Sequence, residues 1–268
     1  MEKEILSALG PVARVGKQVK YLATCPSTND LMKAMAEAGA AEGTVLVAGE
    51  QTRGKGRLGR SFTSAAGKGI YLSALLRPDL LPQALLPLTG FVAEAMIRAV
   101  LRTTGARPGI KWVNDLLLNG KKLCGILTES AFSAGGGRLT YVVVGVGLNV
   151  NYAREDFPPE LQTLAGSLQT ELGRSFPLGP LSAAMIEELD ALYDALLTGG
   201  TEAYLSAYRR DCLTLGRDVL LVQNGVSTPA FARDVDDALG LLVRYPDGRE
   251  ALIRSGEASV RGLSGYID

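Results

Sequence analysis

Apolar residues follow two rhythms along this chain, and the change of rhythm divides it. Up to about residue 214, continuous apolar runs alternate with stretches of helical spacing; from Leu215 onward only short alternating runs remain. In the first part Lys20 to Thr24, Thr44 to Ala48 (TVLVA), Ile70 to Leu76 (IYLSALL) and Leu139 to Val150 (LTYVVVGVGLNV) read as strands, the last covered on both faces. Leu31, Met35 and Ala38 repeat at helical spacing after the N-cap oxygens of Ser27, Thr28 and Asn29, and end at Gly39. A short helix over 2–9 stops at Gly10 and Pro11, and the apolar stretch from about Pro82 to Thr104 predicts a buried helix entered through a proline and stopped by Gly105. Residues 153–180 read as loop-rich, amphipathic around Leu161 to Leu172, before two helices near Pro180 to Leu197 and Thr201 to Cys212.

Asn119-Gly120, between Leu116 to Leu118 and Leu123 to Thr128, is a strong hairpin signal. In the tail, Asp218 to Val222, Thr228 to Val235, Leu239 to Tyr245 and Glu250 to Ile253 alternate around turns at Asn224-Gly225 and Asp247-Gly248. That pattern predicts a small all-β barrel of about five strands. The expected organisation is α+β: a large domain over 1–214 and a small β domain over 215–268.

Composition removes several function classes. Lys+Arg and Asp+Glu balance at 28 each and 47% of residues are apolar, so neither disorder nor a polyanion partner is indicated. The absence of histidine excludes Ser-His-Asp and Cys-His nucleophile systems and ordinary zinc sites, leaving a hard, oxygen-held cation as the expected metal. Cys25, Cys124 and Cys212 are odd in number and far apart, which argues against a disulfide framework and for a reducing cytoplasm. MEKEILSALG lacks the pattern of a signal peptide, and Pro82, Pro87 and Glu94 argue against a membrane span over 80–101.

One loop stands out chemically. GEQTRGKGRLGRSF, residues 49–62, sets Gly54, Gly56 and Gly59 among Arg53, Lys55, Arg57 and Arg60. Glycine lets backbone N–H groups converge on an anion, and guanidinium groups grip phosphate oxygens in a fork. The G-x-G-x-x-G spacing would suit a dinucleotide fold if a helix opened directly after it; a strand follows instead. A kinase-type nucleotide lid fails for want of an H-R-D loop. A solvated basic hairpin is the plain alternative.

A second stretch, GIKWVNDLLLNGKKLCGILTES, carries Lys111, Trp112, Asn114, Asp115, Lys121 and Lys122 among aliphatic residues. Pairing about Asn119-Gly120 brings Asp115 and Lys122 together, either as a functional pair or as a surface salt bridge. Gly145 and Gly147 weaken a strand unless a ligand or a helix lies close to its backbone. Asn149 could cap, turn or bind, and Ser27 and Thr28 could serve as caps alone.

Taken together, GKGRLGRSF, KWVNDLLLNGKKLCGIL, GVGLNVN and the terminal β unit resemble the biotin protein ligases in the family's order, from about Tyr21 onward. The resemblance implies a mixed sheet flanked by helices, related to class II synthetases and lipoate ligases, with an SH3-like C-terminal barrel. It implies adenylation of biotin by ATP to biotinyl-5′-AMP, then transfer to a lysine of a biotin carboxyl carrier protein. By motif position, Ser27, Thr28 and Gln51 resemble the groups on biotin's ureido ring beside Asn29, and Gly125 and Gly145 would let backbone line that pocket. Gly54, Lys55, Gly56, Phe62 and Trp112 complete the expected binding set. Arg57 is expected at the biotin carboxylate and α-phosphate, Arg60 on the nucleotide side, Lys122 bridging the reacting groups and Lys111 on the departing pyrophosphate. Asn114 and Asn149 resemble nucleotide contacts, and Asp115 would order Mg²⁺ or orient the acceptor amine. Three departures stand out: Lys55 for a common arginine, Phe62 for a tryptophan and Val113 for a proline.

Residues 1–18 are too few for a helix-turn-helix head, so catalysis without operator binding is expected, with a homodimer as one arrangement. A lipoate or octanoate ligase of the same fold is the nearest rival; an adaptor acting through its terminal barrel is the rival from another class.

Overall fold

The fold was obtained as a computed structural model, which describes residues 1–254 and 259–262 apart from Ala134, Gly136 and Asn224. Half of one predicted turn, Asn224, therefore lies outside the described residues, as does the end of the predicted barrel domain, 263–268. The elements run α1 (Glu2–Ala8), β1 (Gln18–Leu22), α2 (Thr28–Glu37), β2 (Thr44–Ala48), β3 (Gly69–Leu76), α3 (Leu88–Thr104), β4 (Gly109–Lys111), β5 (Asp115–Leu118), β6 (Lys121–Phe132), β7 (Leu139–Asn149), α4 (Leu168–Leu172), α5 (Leu178–Thr198) and α6 (Glu202–Asp211). Strands β8 (Arg217–Gln223), β9 (Val226–Val235), β10 (Leu241–Arg244), β11 (Glu250–Ile253) and β12 (Ser259–Gly262) follow.

The first seven strands form one mixed sheet in the order β1-β2-β3-β7-β6-β5-β4, parallel only between β1 and β2. Strand parity separates its faces. Val45, Val47, Ile70, Leu72, Val142 and Val144 point into the large core with α3 and α5. Leu46, Leu75 and Val143 point the other way, onto Met32 and Ala36 of α2. Covered on both sides, β2 and β3 are buried along their whole length, which is why they read as unbroken apolar runs.

The sequence was wrong about the start of the long helix. Pro82–Leu85 is a 3₁₀ turn, and α3 begins at Leu88 behind Pro87. Pro87 has no N–H to donate and its ring would strike the carbonyl four residues back, so a helix cannot run through it from Pro82. Gly105 ends α3 in the left-handed conformation as expected (φ 80°). Among the described residues, 82–104 is the one stretch long and apolar enough to cross a membrane, and 67% of that window is buried within the protein.

The tail forms a five-stranded antiparallel sheet in the order β11-β10-β9-β8-β12, with a register shift at Leu242/Val243. Its β9–β10 turn packs against α3, where Leu239 is fully buried, and the Leu239 carbonyl accepts from the indole N–H of Trp112 at 2.8 Å.

Candidate active site

A cleft opens on the α2 face of the sheet, where α2 stops short and β6 and β7 carry glycines instead of side chains. Gly125 and Gly147 are directly paired across β6 and β7, and Gly145 pairs with Ser73 of β3. A Cβ at Gly145 would fall 2.1 Å from Asn29 Oδ1, and one at Gly147 would fall 2.7 Å from the Phe62 ring. These glycines thus form a floor on which side chains from elsewhere lie, and the two explanations open from sequence, a ligand or a helix, meet in one place.

One end of the cleft is built by the first turn of α2. Ser27 caps the helix, its oxygen accepting from the Asp30 amide at 3.4 Å. Gln51 Oε1 accepts from both the amide (2.7 Å) and the hydroxyl (3.0 Å) of Thr28, which fixes the orientation of the Gln51 amide. Asn29 Oδ1 accepts from Ser73 at 2.6 Å, while its Nδ2 donates to Glu129 Oε2 at 2.8 Å and to the Leu127 carbonyl at 3.3 Å. Ser27, Thr28 and Asn29 are all buried, as polar groups with satisfied partners can be. Their capping and lining roles coexist.

The other end is cationic. The glycine loop folds back on itself, with the Gly56 amide on the Arg60 carbonyl (2.7 Å), the Phe62 amide on the Gly54 carbonyl (2.9 Å) and a 3₁₀ turn over Arg57–Gly59 between. Arg57 Nη1 donates to Asn114 Oδ1 at 2.8 Å, and Asn114 Nδ2 reaches the Ile126 carbonyl (2.9 Å) and Asp115 Oδ1 (3.2 Å). Lys122 Nζ sits 2.8 Å from the same Asp115 oxygen. The Asn119-Gly120 turn has positive φ at both residues (49° and 75°), the geometry of a tight hairpin. A register shift at Leu116/Leu117 then sets Lys122 opposite Leu117, on the face that also carries Asp115. Lys111 pairs with Asp115 across the short β4–β5 hairpin, whose turn is Trp112, Val113 and Asn114.

Burial pushes the Lys111 ammonium down to about 8; Asp115 opposes the shift, and the cations Lys122, Arg60 and Arg261 reinforce it. Burial likewise lowers the Arg57 guanidinium, again against the pull of Asp115. Asp115 is the single carboxylate among the described residues lining the cleft.

The structure brings together almost the whole set expected from sequence: Ser27, Thr28, Asn29, Gln51, Lys55, Gly56, Arg57, Arg60, Phe62, Lys111, Trp112, Asn114, Asp115, Lys122, Gly125 and Gly145 all line one cavity of about 130 Å³. Two do not line it. Gly54 lies behind the loop, where a Cβ would strike the Phe62 carbonyl at 2.4 Å. Asn149 is buried one step further along β7, its Nδ2 donating to the carbonyls of Gly166 (3.0 Å) and Lys122 (3.4 Å), so it braces the Lys122 backbone. The departures also find places. Lys55 pairs with Asp30 of α2 at 2.7 Å, Phe62 lies over Gly125 and Gly147 with its ring 6.0 Å from Lys122 Nζ, and the Trp112–Val113 peptide is cis. Gly147, singled out with Gly145 as a place where a ligand or a helix would lie close but not carried into the expected binding set, lines the cleft as well, on the same face by strand parity. Sequence reasoning missed Ile126, Leu127, Val146, Ser61 and Val260, for which no local signal exists.

Comparison with known proteins gives the class first. Residues 21–149 match the Biotin/lipoate A/B protein ligase family. The bifunctional ligase/repressor BirA of Bacillus subtilis (strain 168) is 40% identical over 234 residues, covering 87% of this chain and 71% of the relative. The biotin--[acetyl-CoA-carboxylase] ligase of Mycobacterium tuberculosis is 33% identical over 249 residues, 90% of this chain and 88% of that protein. The biotin protein ligase from Aquifex aeolicus in complex with biotin and ATP superimposes with a TM-score of 0.76 at 27% identity, covering 91% of this chain and 99% of that one. The chain belongs to the biotin protein ligases.

Proposed function

We propose that this protein is an ATP-dependent biotin protein ligase that forms biotinyl-5′-AMP and transfers the biotinyl group to a lysine of a biotin carboxyl carrier protein. The observation that carries the reading is the convergence of Arg57 and Lys122, through Asn114 and Asp115, at the mouth of a glycine-floored slot whose far end presents oriented amide and hydroxyl groups. A slender acid with a polar head fits that slot with its carboxylate toward the cations.

In the first step a carboxylate oxygen of biotin attacks the α-phosphorus of ATP, and the bond from that phosphorus to the pyrophosphate oxygen breaks. Two anions must meet, so the fixed cations Arg57 and Lys122 cancel repulsion and hold the in-line geometry, while Lys111 and Arg60 take up charge on the leaving side. Lys111 is suited to this because its buried ammonium lacks solvent and gains most from an arriving anion. In the second step the acceptor amine attacks the acyl carbon and AMP departs; Asp115, held by Lys122 and Asn114, is placed to orient that amine. Mg²⁺ fits as a companion of the triphosphate rather than as a protein-held ion. Among the described residues Asp115 is the one lining carboxylate, and no cluster of three or more acidic, cysteine or histidine ligands occurs.

The terminal sheet is proposed to close as an SH3-like barrel beginning near residue 215, supported by its five antiparallel strands and the β-bulge at Arg233 of β9. Three buried free cysteines support a reducing, cytoplasmic setting. The deciding experiment incubates the protein with ATP, biotin and a carrier domain. A mass increase of one biotinyl group on the carrier supports the reading; modification with octanoate or lipoate but not biotin overturns it.

A further inference from the structure

Leu239 is a bulky residue held at φ +59°, a conformation that side-chain-bearing residues other than Asn and Asp rarely adopt. Its surroundings over-determine it. Asp236 accepts on Oδ1 from the amides of Ala238 (3.0 Å) and Gly240 (2.7 Å), on either side of Leu239, and on its carbonyl from the Leu239 amide itself (2.9 Å). Arg254 pairs with the same Asp236 carboxylate at 2.7 Å, and Arg209 of α6 donates to the Val235 carbonyl at 2.8 Å. A turn braced this heavily has a fixed shape, and what it presents is the Leu239 side chain and carbonyl.

Both are received inside the large domain. The side chain enters a gap that exists because α3 carries glycine at position 90, where a Cβ would fall 2.2 Å from Leu239 Cδ1 and 2.7 Å from the Tyr208 ring. The carbonyl takes the indole N–H of Trp112 at 2.8 Å, and the Trp112 amide is tied to Thr214 Oγ1 at 2.9 Å. Trp112 begins the three-residue turn of the β4–β5 hairpin, with Lys111 at one foot, Asp115 at the other and Asn114 within it. That turn holds the leaving-group cation, the carboxylate and the group that positions Arg57, whereas Ser27, Thr28 and Gln51 are set by the first turn of α2 at the other end of the cleft.

We propose that Leu239 is a positioning residue for adenylation: its side chain, seated against Gly90, holds in place the carbonyl that takes the Trp112 indole N–H, and so sets the nucleotide half of the cleft while leaving the biotin half untouched. The inference rests on the ligase reading above. Trp112 is the single tryptophan of the chain, so its emission reports this contact directly and independently of turnover.

The test compares Leu239→Ala, Leu239→Gly and Leu239→Met in the full chain, using biotin-dependent pyrophosphate release, biotin affinity and Trp112 fluorescence. Alanine and glycine are both expected to red-shift the emission and to raise KM for ATP by about tenfold, with biotin affinity within about twofold of the unaltered protein. Methionine, which refills the gap, should restore both. Unchanged emission, or unchanged KM for ATP despite shifted emission, overturns the proposal. So does a parallel loss of ATP and biotin affinity with lowered Tm, which would mark a general loosening. Failure of the unaltered chain to release pyrophosphate would instead strike the ligase reading, and the emission of the variants would still decide whether Leu239 holds Trp112.

Discussion

The two ends of the cleft are built on opposite plans. At the α2 end the protein has met the hydrogen-bonding needs of Thr28 and Asn29 internally: Gln51 serves Thr28 twice, and Ser73, Leu127 and Glu129 serve Asn29. At the hairpin end Arg57, Arg60, Lys111 and Lys122 gather near Asp115, and burial, reinforced by the neighbouring cations, depresses the proton affinity of Lys111. The first end is a finished mould for a neutral group. The second is completed only when an anion arrives, so it is where binding energy can be directed to the transition state instead of the ground state.

The largest effect that would test this contrast comes from the cationic end. Lys122→Ala should lower the rate of biotin-dependent pyrophosphate release by about 100- to 1,000-fold, with biotin affinity changed by less than about fivefold, as for loss of a group acting mainly on developing charge. A comparable loss of biotin binding would show that the two ends are not separable. Gly145→Ala attacks the other plan. Its methyl would need the space of Asn29 Oδ1, so calorimetry should show biotin affinity lower by about 10- to 100-fold, with KM for ATP nearly unchanged. A pH profile sharpens the comparison further. Burial favours the neutral amine of Lys111, so its charge is present below about 8 and lost as pH rises through that value. In consequence kcat/KM for ATP should fall above pH 8, approaching tenfold per pH unit, while biotin affinity stays level; Lys111→Arg should abolish the break. The smallest effect is expected from Lys55→Ala. Its pair with Asp30 is 2.7 Å long, but both side chains are more than one third exposed, so Tm should move by no more than a degree or two.

Sequence made the site more legible than the architecture around it, for a physical reason. Asp115 and Lys122 meet because a two-residue turn with its own signature folds one strand back on the next, and such local geometry is written in adjacent residues. The Arg-Gly loop likewise announces itself by composition. Sheet order has no comparable mark: nothing near Leu139 says that β7 inserts between β3 and β6. The helix start was misplaced because an apolar run cannot by itself tell a 3₁₀ turn from the first turn of a helix. Asn149 was expected as a nucleotide contact from its motif position, but in the fold its amide donates to the backbone carbonyls of Lys122 and Gly166. Val260 reaches the cleft from a separate sheet, a contact only tertiary packing creates.

Gly125 and Gly147, facing each other across two strands, have a consequence for anyone redesigning the substrate range. Glycine is the end of the scale: the bed of the channel has nothing left to trim, and every replacement there makes it shallower. Room for a bulkier acid can come only from the roof, where Phe62 spans both positions. Enlargement would therefore begin with one aromatic ring in the basic loop.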